Sequence, residues 1–418
     1  MQKRRVVVTG VGTVSSLGND PAQLHSALVA GETGFREVDL FDTEGLRSPR
    51  AAQVDFDPRA FFGKRNFRPV DRTGRLVIAA AELALGSAGI TAEALADLQV
   101  GLVLGTMFGS VHTISAFDRR GLEAGPKYVK PLDFANSVIN AAAGQAAIWH
   151  GLRGSNSTVA GGTTAGLQAL ARGLDMVRLG RGTLLLAGGG EELCFESMMG
   201  FQQAGRLARD GGPDGPFPRP FDADGSGVLL GEGSALLMLE EAEHAAGRGA
   251  TVRAEILGHG SFFDVSRGAD PEVARSALER AARLALDDAG LGADDVDLVT
   301  SGGSGLVPQD RIEARAIASV LGDRAGEVPV MAVKGAIGEC LGASGAFQVM
   351  AAIEAVAHGE VPPIAGFEAA AADGPSLGFA ARSRALRGGR VLATALGLSG
   401  NATALVLDAG RPGTGGPR

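Results

Sequence analysis

Short runs rich in Val, Leu and Thr alternate with amphipathic helical stretches through almost the whole chain, and the alternation occurs twice in similar order. Parallel neighbours in a sheet need a crossover, usually helical, so this pattern points to α/β layers with mostly parallel sheets. In the first run, residues 6–9, 100–105, 157–160, 184–187 and 234–239 read as strands, with 157–160 a buried one. Helices are expected over 72–88, opened by Asp71 as N-cap, and over 141–150 and 164–179. In the second run, residues 252–257, 298–301 and 328–333 read as strands. Helices are expected over 272–289, 312–321 and 345–358, the last stopped by Gly359, and 391–396 with 404–407 reads as a closing hairpin. Two similar halves follow: an N-terminal half over 1–250, a C-terminal half over 251–410, and a flexible tail over 411–418.

Composition narrows the function. A hydrophobic fraction of 45% with only 5% aromatic residues describes a core of Val, Leu and Ala, suited to closely layered elements. A net charge of −8 argues against nucleic acid, whose phosphates demand a basic face. The Lys/Arg residues between Arg47 and Arg72 are mixed with Asp and read as a solvated surface or a small patch for an acidic carrier protein. The cysteines Cys194 and Cys340 lack metal-type spacing and suit a reducing compartment. The opening basic and apolar residues are broken by glycines and read as a first strand rather than a leader. No apolar run has the length of a membrane span, and a cytoplasmic protein is expected.

One segment is built like a nucleophile's pedestal. STVAGGTTAGLQAL, residues 157–170, carries a strand into a glycine pair and then a helix, whose N-terminus offers unpaired N–H groups and a positive dipole end. The residue at the tip is Thr163, with no base near it in sequence.

Five stretches together identify a family. RPFDADGSGVLLGEGSALLMLEEAEHAAGRGA (219–250) closely resembles the PFDxxRDGFxxGEGAGxxxLE signature of β-ketoacyl-acyl-carrier-protein synthases. VVVTGVGTVSSLG resembles that family's first strand and loop, and GLRGSNSTVAGGTTAGLQAL its nucleophile region. VKGAIGECLGASGA is similar to its KxxxGHxxGAAG motif, and LGLSGNATALVL to its GFGGTNxxLVL loop. The resemblance spans residues 5–407 and implies the thiolase-like fold: duplicated βαβαβαββ halves in a five-layered α-β-α-β-α architecture.

The departures from that pattern are concentrated at the chemistry. The family uses a cysteine thiolate and two histidines. Thr163 stands at the cysteine position, Gly302 at the first histidine with Asp310 retained downstream, and Glu339 at the second with Lys334 retained upstream. A hydroxyl is far less acidic than a thiol and needs a base to attack. Glycine donates nothing from a side chain, and a glutamate would repel charge developing on a thioester oxygen. The usual phenylalanine gate is Leu398, followed by Ser399. Structural roles are expected instead: Thr163 as helix cap or pocket filler, Glu339 paired with Lys334, and Cys340 as a small packed residue.

This combination resembles the chain-length factor, a ketosynthase β subunit of type II polyketide systems. The resemblance implies a subunit that is not an enzyme on its own and binds neither cofactor nor metal. It implies a heterodimer with an active ketosynthase, an acyl carrier protein as donor and a growing polyketide chain in a tunnel at the subunit interface. Threonine where many such factors carry glutamine points to a branch handling reduced or polyene chains. Residues 107–126 read as the loop and helix that measure length, with Val111, Ile114 and Phe117 or Asp118 on one stripe and Phe134, Val138 and Asn140 as further lining. Two alternatives stay open: a stand-alone acyltransferase or hydrolase using Thr163, Glu339 or Cys340, and a homodimeric acyl-binding scaffold.

Overall fold

The computed structural model describes residues 3–209 and 217–410; the tail expected over 411–418 lies outside them. One eleven-stranded sheet system runs through the molecule. Its strands are β1 (Val6–Val14), β2 (Val100–Thr106), β3 (Asn156–Ala160), β4 (Leu184–Glu191), β5 (Gly233–Glu241) and β6 (Ala254–Phe263), then β7 (Leu298–Thr300), β8 (Pro329–Met331), β9 (Gly378–Phe379), β10 (Arg390–Leu396) and β11 (Asn401–Asp408). The principal helices are α1 (Pro21–Val29), α2 (Arg72–Ser87), α3 (Val111–Ala124), α4 (Ala141–His150) and α5 (Ala165–Arg178), followed by α6 (Phe195–Gln203), α7 (Pro271–Ala289), α8 (Val307–Leu321) and α9 (Ser344–His358).

Strand order is β9-β8-β7-β10-β11-β6-β1-β5-β4-β2-β3. Leaving aside the edge strand β9, β3-β2-β4-β5-β1 and β8-β7-β10-β11-β6 follow one order within each half, third-second-fourth-fifth-first. The halves meet where β1 pairs antiparallel with β6, Val6 opposite Ile256. Leu167, Leu170 and Leu174 of α5 and Phe347, Met350 and Ile353 of α9 share a core with strand residues of both halves, so these helices form the middle layer. Helix α2 covers the outer face of the first sheet and α7 with α8 that of the second. The expected five layers are present, in the thiolase-like arrangement.

Two expectations need correction. The sheet is mixed, not mostly parallel: β1–β5, β4–β5, β1–β6, β6–β11 and β10–β11 pair antiparallel. Strand β11 follows β10 through a tight turn, and β5 enters after the long excursion from 192 to 232, so neither needs a helical crossover. Residues 157–160 are not buried. Strand β3 is the sheet's edge, half-exposed at Ser157, Thr158 and Val159, because among the described residues no segment lies beyond it.

Strand lengths exceed the expectation for a reason the glycines carry. A Cβ on Gly12 would stand 2.1 Å from the Ala80 carbonyl oxygen of α2, and one on Gly10 2.5 Å from that of Ala84. Gly260 and Gly258 meet Ala281 and Ala285 of α7 in the same way, at 2.1 and 2.4 Å. In each half the first strand thus passes directly against a helix backbone. These glycines are contact points, not strand breaks.

The helix ends follow local rules. Asp71 caps α2 by accepting from the Gly74 N–H at 2.8 Å. Gly359 ends α9 in the left-handed region, φ 68°. No helix among the described residues is long and apolar enough to cross a membrane.

Candidate functional site

Thr163, Gly302 and Glu339 sit where the middle layer meets the strand ends. Thr163, 4% exposed, is the middle residue of a 3-10 turn (Gly162–Thr164) that feeds α5. It does not cap that helix. The cap position falls on Thr164, whose Oγ1 donates back to the Gly161 carbonyl at 2.8 Å, and no side chain caps the first turn. The β10–β11 turn lies over this segment: Asn401 Nδ2 donates to the Gly161 carbonyl at 3.4 Å, and a Cβ on Gly162 would meet Ser399 Oγ. Leu398, half-buried, packs into an apolar cluster with Met107, Phe108, Leu306 and Leu341.

Gly302 follows β7, and its N–H donates to Glu313 Oε1 at 2.8 Å. The same oxygen accepts from Thr394 Oγ1 at 2.7 Å, and burial lifts Glu313 to about 7. Asp310 is buried and accepts backbone N–H groups from Phe221, Ser304 and Gly305 at 2.8–2.9 Å. Burial still raises its pKa, against those bonds and the nearby Lys334. These contacts hold Phe221 at φ +62°, an unusual region for a side-chain-bearing residue.

Glu339 forms the buried pair read from the sequence. Lys334 Nζ lies 2.7 Å from Glu339 Oε2, with the two side chains 6% and 5% exposed. Glu339 Oε1 accepts from Ser344 Oγ at 2.6 Å and from the Leu341 N–H at 3.0 Å. Cys340 is fully buried, its Sγ donating to the Ile337 carbonyl at 3.3 Å, and burial followed by the Glu339 charge drives its pKa well up. Burial likewise pushes Cys194 to about 12. A thiol held neutral in this way is a poor nucleophile.

Helix α3 has an amphipathic pattern but no buried residue. Val111, Ile114 and Phe117 are half-buried on one stripe, and Asp118 is exposed. Phe117 approaches Phe134, ring centroids 6.1 Å apart. Phe134 and Val138 are themselves exposed, as are Asn140, Leu122, Tyr128, Leu132, Ile139 and Ile148. The basic segment is partly committed: Arg72 makes a two-pronged pair with the buried Glu232, and Arg65 stacks 3.7 Å above Trp149. His150 bonds the Ile78 carbonyl, and His358 stacks on the buried His25.

Sequence reasoning missed Glu191. Its carboxylate accepts from the N–H groups of Met107, Phe108 and Gly109, from Thr106 Oγ1 and from the Gly342 N–H, at 2.6–3.2 Å. It therefore ties the loop before α3 to the turn after Glu339. Burial raises it to about 7 and the adjacent Glu192 to about 8. Two acids closing an all-apolar strand, AGGGEE, were the available signal. Among the described residues no His, Cys, Asp and Glu group is arranged to hold a metal ion.

Comparison with known proteins agrees with this geometry. The profile for the beta-ketoacyl synthase N-terminal domain matches residues 3–245, and that for the C-terminal domain matches 253–368. The 3-oxoacyl-[acyl-carrier-protein] synthase 2 of Coxiella burnetii is 30% identical over 98% of this chain and 99% of its own. The solved structure of the ishigamide ketosynthase/chain length factor is 32% identical, with TM-score 0.89 over 97% of this chain and 99% of that one. AntDE:AntF, a type II PKS acyl-carrier protein in complex with its ketosynthase bound to the hexaketide, gives 26% and 0.87 over 97% and 99%. The expectation that this chain is not an enzyme on its own is overturned: a relative matched across nearly its full length is named as a synthase.

Proposed function

Because the chain belongs to the β-ketoacyl synthase family, we propose that it takes part in polyketide chain elongation as a chain-length factor, paired with a ketosynthase and shaping the acyl tunnel between them. The pair condenses malonyl units, delivered on an acyl carrier protein, with loss of CO2. The observation that carries this reading is the face around α3 and β3. There β3 leaves an open sheet edge beside α4, which carries the exposed Ile148, and Leu122, Leu132, Phe134 and Val138 are exposed large apolar side chains on and after α3. An edge strand presents unpaired N–H and C=O groups that invite another strand, and exposed apolar patches mark association surfaces. A partner of the same fold satisfies both needs by laying its own edge against residues 156–160 across a two-fold axis. Val111, Ile114, Phe117, Phe134 and Val138 then face the partner, where their bulk limits the growing chain. Leu398, on the loop above Thr163, gates the entrance.

The test is co-expression with a candidate ketosynthase and profiling of the products. Ile114→Ala and Phe117→Ala are expected to lengthen the products, and Ile114→Trp and Phe117→Trp to shorten them. Product lengths that stay fixed across all four variants refute the tunnel assignment. A stable homodimer that ignores the ketosynthase refutes the pairing and favours the acyl-binding scaffold.

A further inference from the structure

Helix α3 poses a mechanical question, because a tunnel wall must stand still and this helix has no buried side chain to fix it. Ser110, at its cap position, makes no side-chain cap bond. One side rests on the contact of half-buried Phe117 with the exposed Phe134. On the other side the first turn meets polar groups. His112 Nδ1 lies 3.2 Å from Glu196 Oε2 of α6, and Ser115 also bonds that carboxylate. The His112 N–H reaches Glu192 Oε1 at 3.4 Å.

We propose that His112 is the positioning residue of α3: gripped by Glu196 and set over Glu192, it latches the helix to α6 and so fixes where Val111, Ile114 and Phe117 stand. This rests on the chain-length reading for its consequence, though not for its existence.

The groups facing this latch come from four elements. Glu196, on α6, raises His112 most, against the opposing effect of burial; Glu192, at the end of β4, adds to the rise, while Arg119 on α3 itself opposes it. Glu192 in turn faces Asp71 at the start of α2 and Glu191 beside it, and Arg72 and Cys194 lie within its field. The signs agree. His112 is raised above 6.5, so its stabilisation is complete below that pH and is lost as pH rises through the raised value. Glu192 is raised to about 8 by burial and then by Asp71, so holding it in place becomes less favourable as pH climbs. Glu196, lowered to about 2 by His112 and Ser115 against its burial, stays ionised throughout. The latch is closed in mild acid and loosens toward pH 9.

Hydrogen exchange on the full chain, followed by mass spectrometry at pH 6, 7.5 and 9, tests this. Protection of residues 113–118, taken relative to α5 to remove the chemical pH dependence, is expected to fall as pH rises. Glu196→Gln is expected to lose about two- to fivefold of that protection at pH 6, the size of a half-exposed charge pair, and to leave a flatter profile. Glu196→Asp keeps the charge and is expected to restore part of the slope. A wild-type ratio that is constant with pH, or a Glu196→Gln ratio equal to wild type at pH 6, overturns the latch. In the reconstituted pair, Glu196→Gln is expected to broaden the range of product lengths. Unchanged products beside a pH-dependent ratio refute the tunnel role of α3 and leave the latch standing, so the two failures are separable.

Discussion

Replacing Lys334 by Met removes an ammonium lying 2.7 Å from Glu339 Oε2, in a site where both side chains are about one-twentieth exposed. Glu339 keeps two donors, Ser344 Oγ and the Leu341 N–H, but both serve Oε1, and Oε2 loses the ammonium. Breaking one side of a buried pair costs about 3–5 kcal/mol, because the remaining charge stays buried without compensation. For a chain of this length that corresponds to a fall in Tm of roughly 3–6 °C. Adding Glu339→Gln retains an acceptor for Ser344 and Leu341 while removing the charge. The double variant is therefore expected within about 1.5 kcal/mol of wild type, since uncharged replacements of buried pairs are often near neutral. Thermal melts of wild type, Lys334→Met, Glu339→Gln and the double variant, followed by circular dichroism, complete the cycle. Lys334→Met melting within 1 °C of wild type, or a double variant falling at the sum of the two singles, refutes the idea that the pair is electrostatically coupled.

Two further predictions concern groups the chemistry of the family does not explain. Cys194 and Cys340 are buried and held as neutral thiols, so iodoacetamide at pH 8 is expected to leave the native chain unmodified and to label both in urea. Native labelling of Cys340 refutes that assignment. Glu191 and Glu313 are both raised from 4.5 to about 7 by burial, so each lowers stability by up to about 3 kcal/mol as pH rises from 4.5 through 7. Denaturation midpoints are expected to decline over that window and to decline less steeply in Glu313→Gln; parallel curves for variant and wild type refute it.

Features set by neighbouring residues were legible in the sequence. The Asp71 cap, the Gly359 stop and the two-fold repetition of strand and helix depend on short-range patterns, and the structure contains all three. Features set by distant approach were not. Gly10 and Gly258 look like strand ends in sequence, whereas each lies inside a strand because a helix backbone passes within the radius of a methyl group. Strand β3 has the composition of a core strand, and nothing local states that its outer side is left open. Glu191 was illegible for the same reason: its five donors come from residues 82 to 151 positions away.

The buried acids also order the loops around Gly302 and Glu339. At Gly302 a new side chain has little space, since its Cβ would lie 3.3 Å from Ala395 Cα and from Glu313 Oε2; the backbone N–H is already satisfied by Glu313. At position 339 the carboxylate finds an ammonium, a hydroxyl and an N–H, so its charge is not buried unpaired. Glu191, Asp310 and Glu313 each hold backbone N–H groups of loops at the same strand ends. The loops therefore keep their places through main-chain bonds to buried carboxylates, which do not depend on the side chains the loops carry.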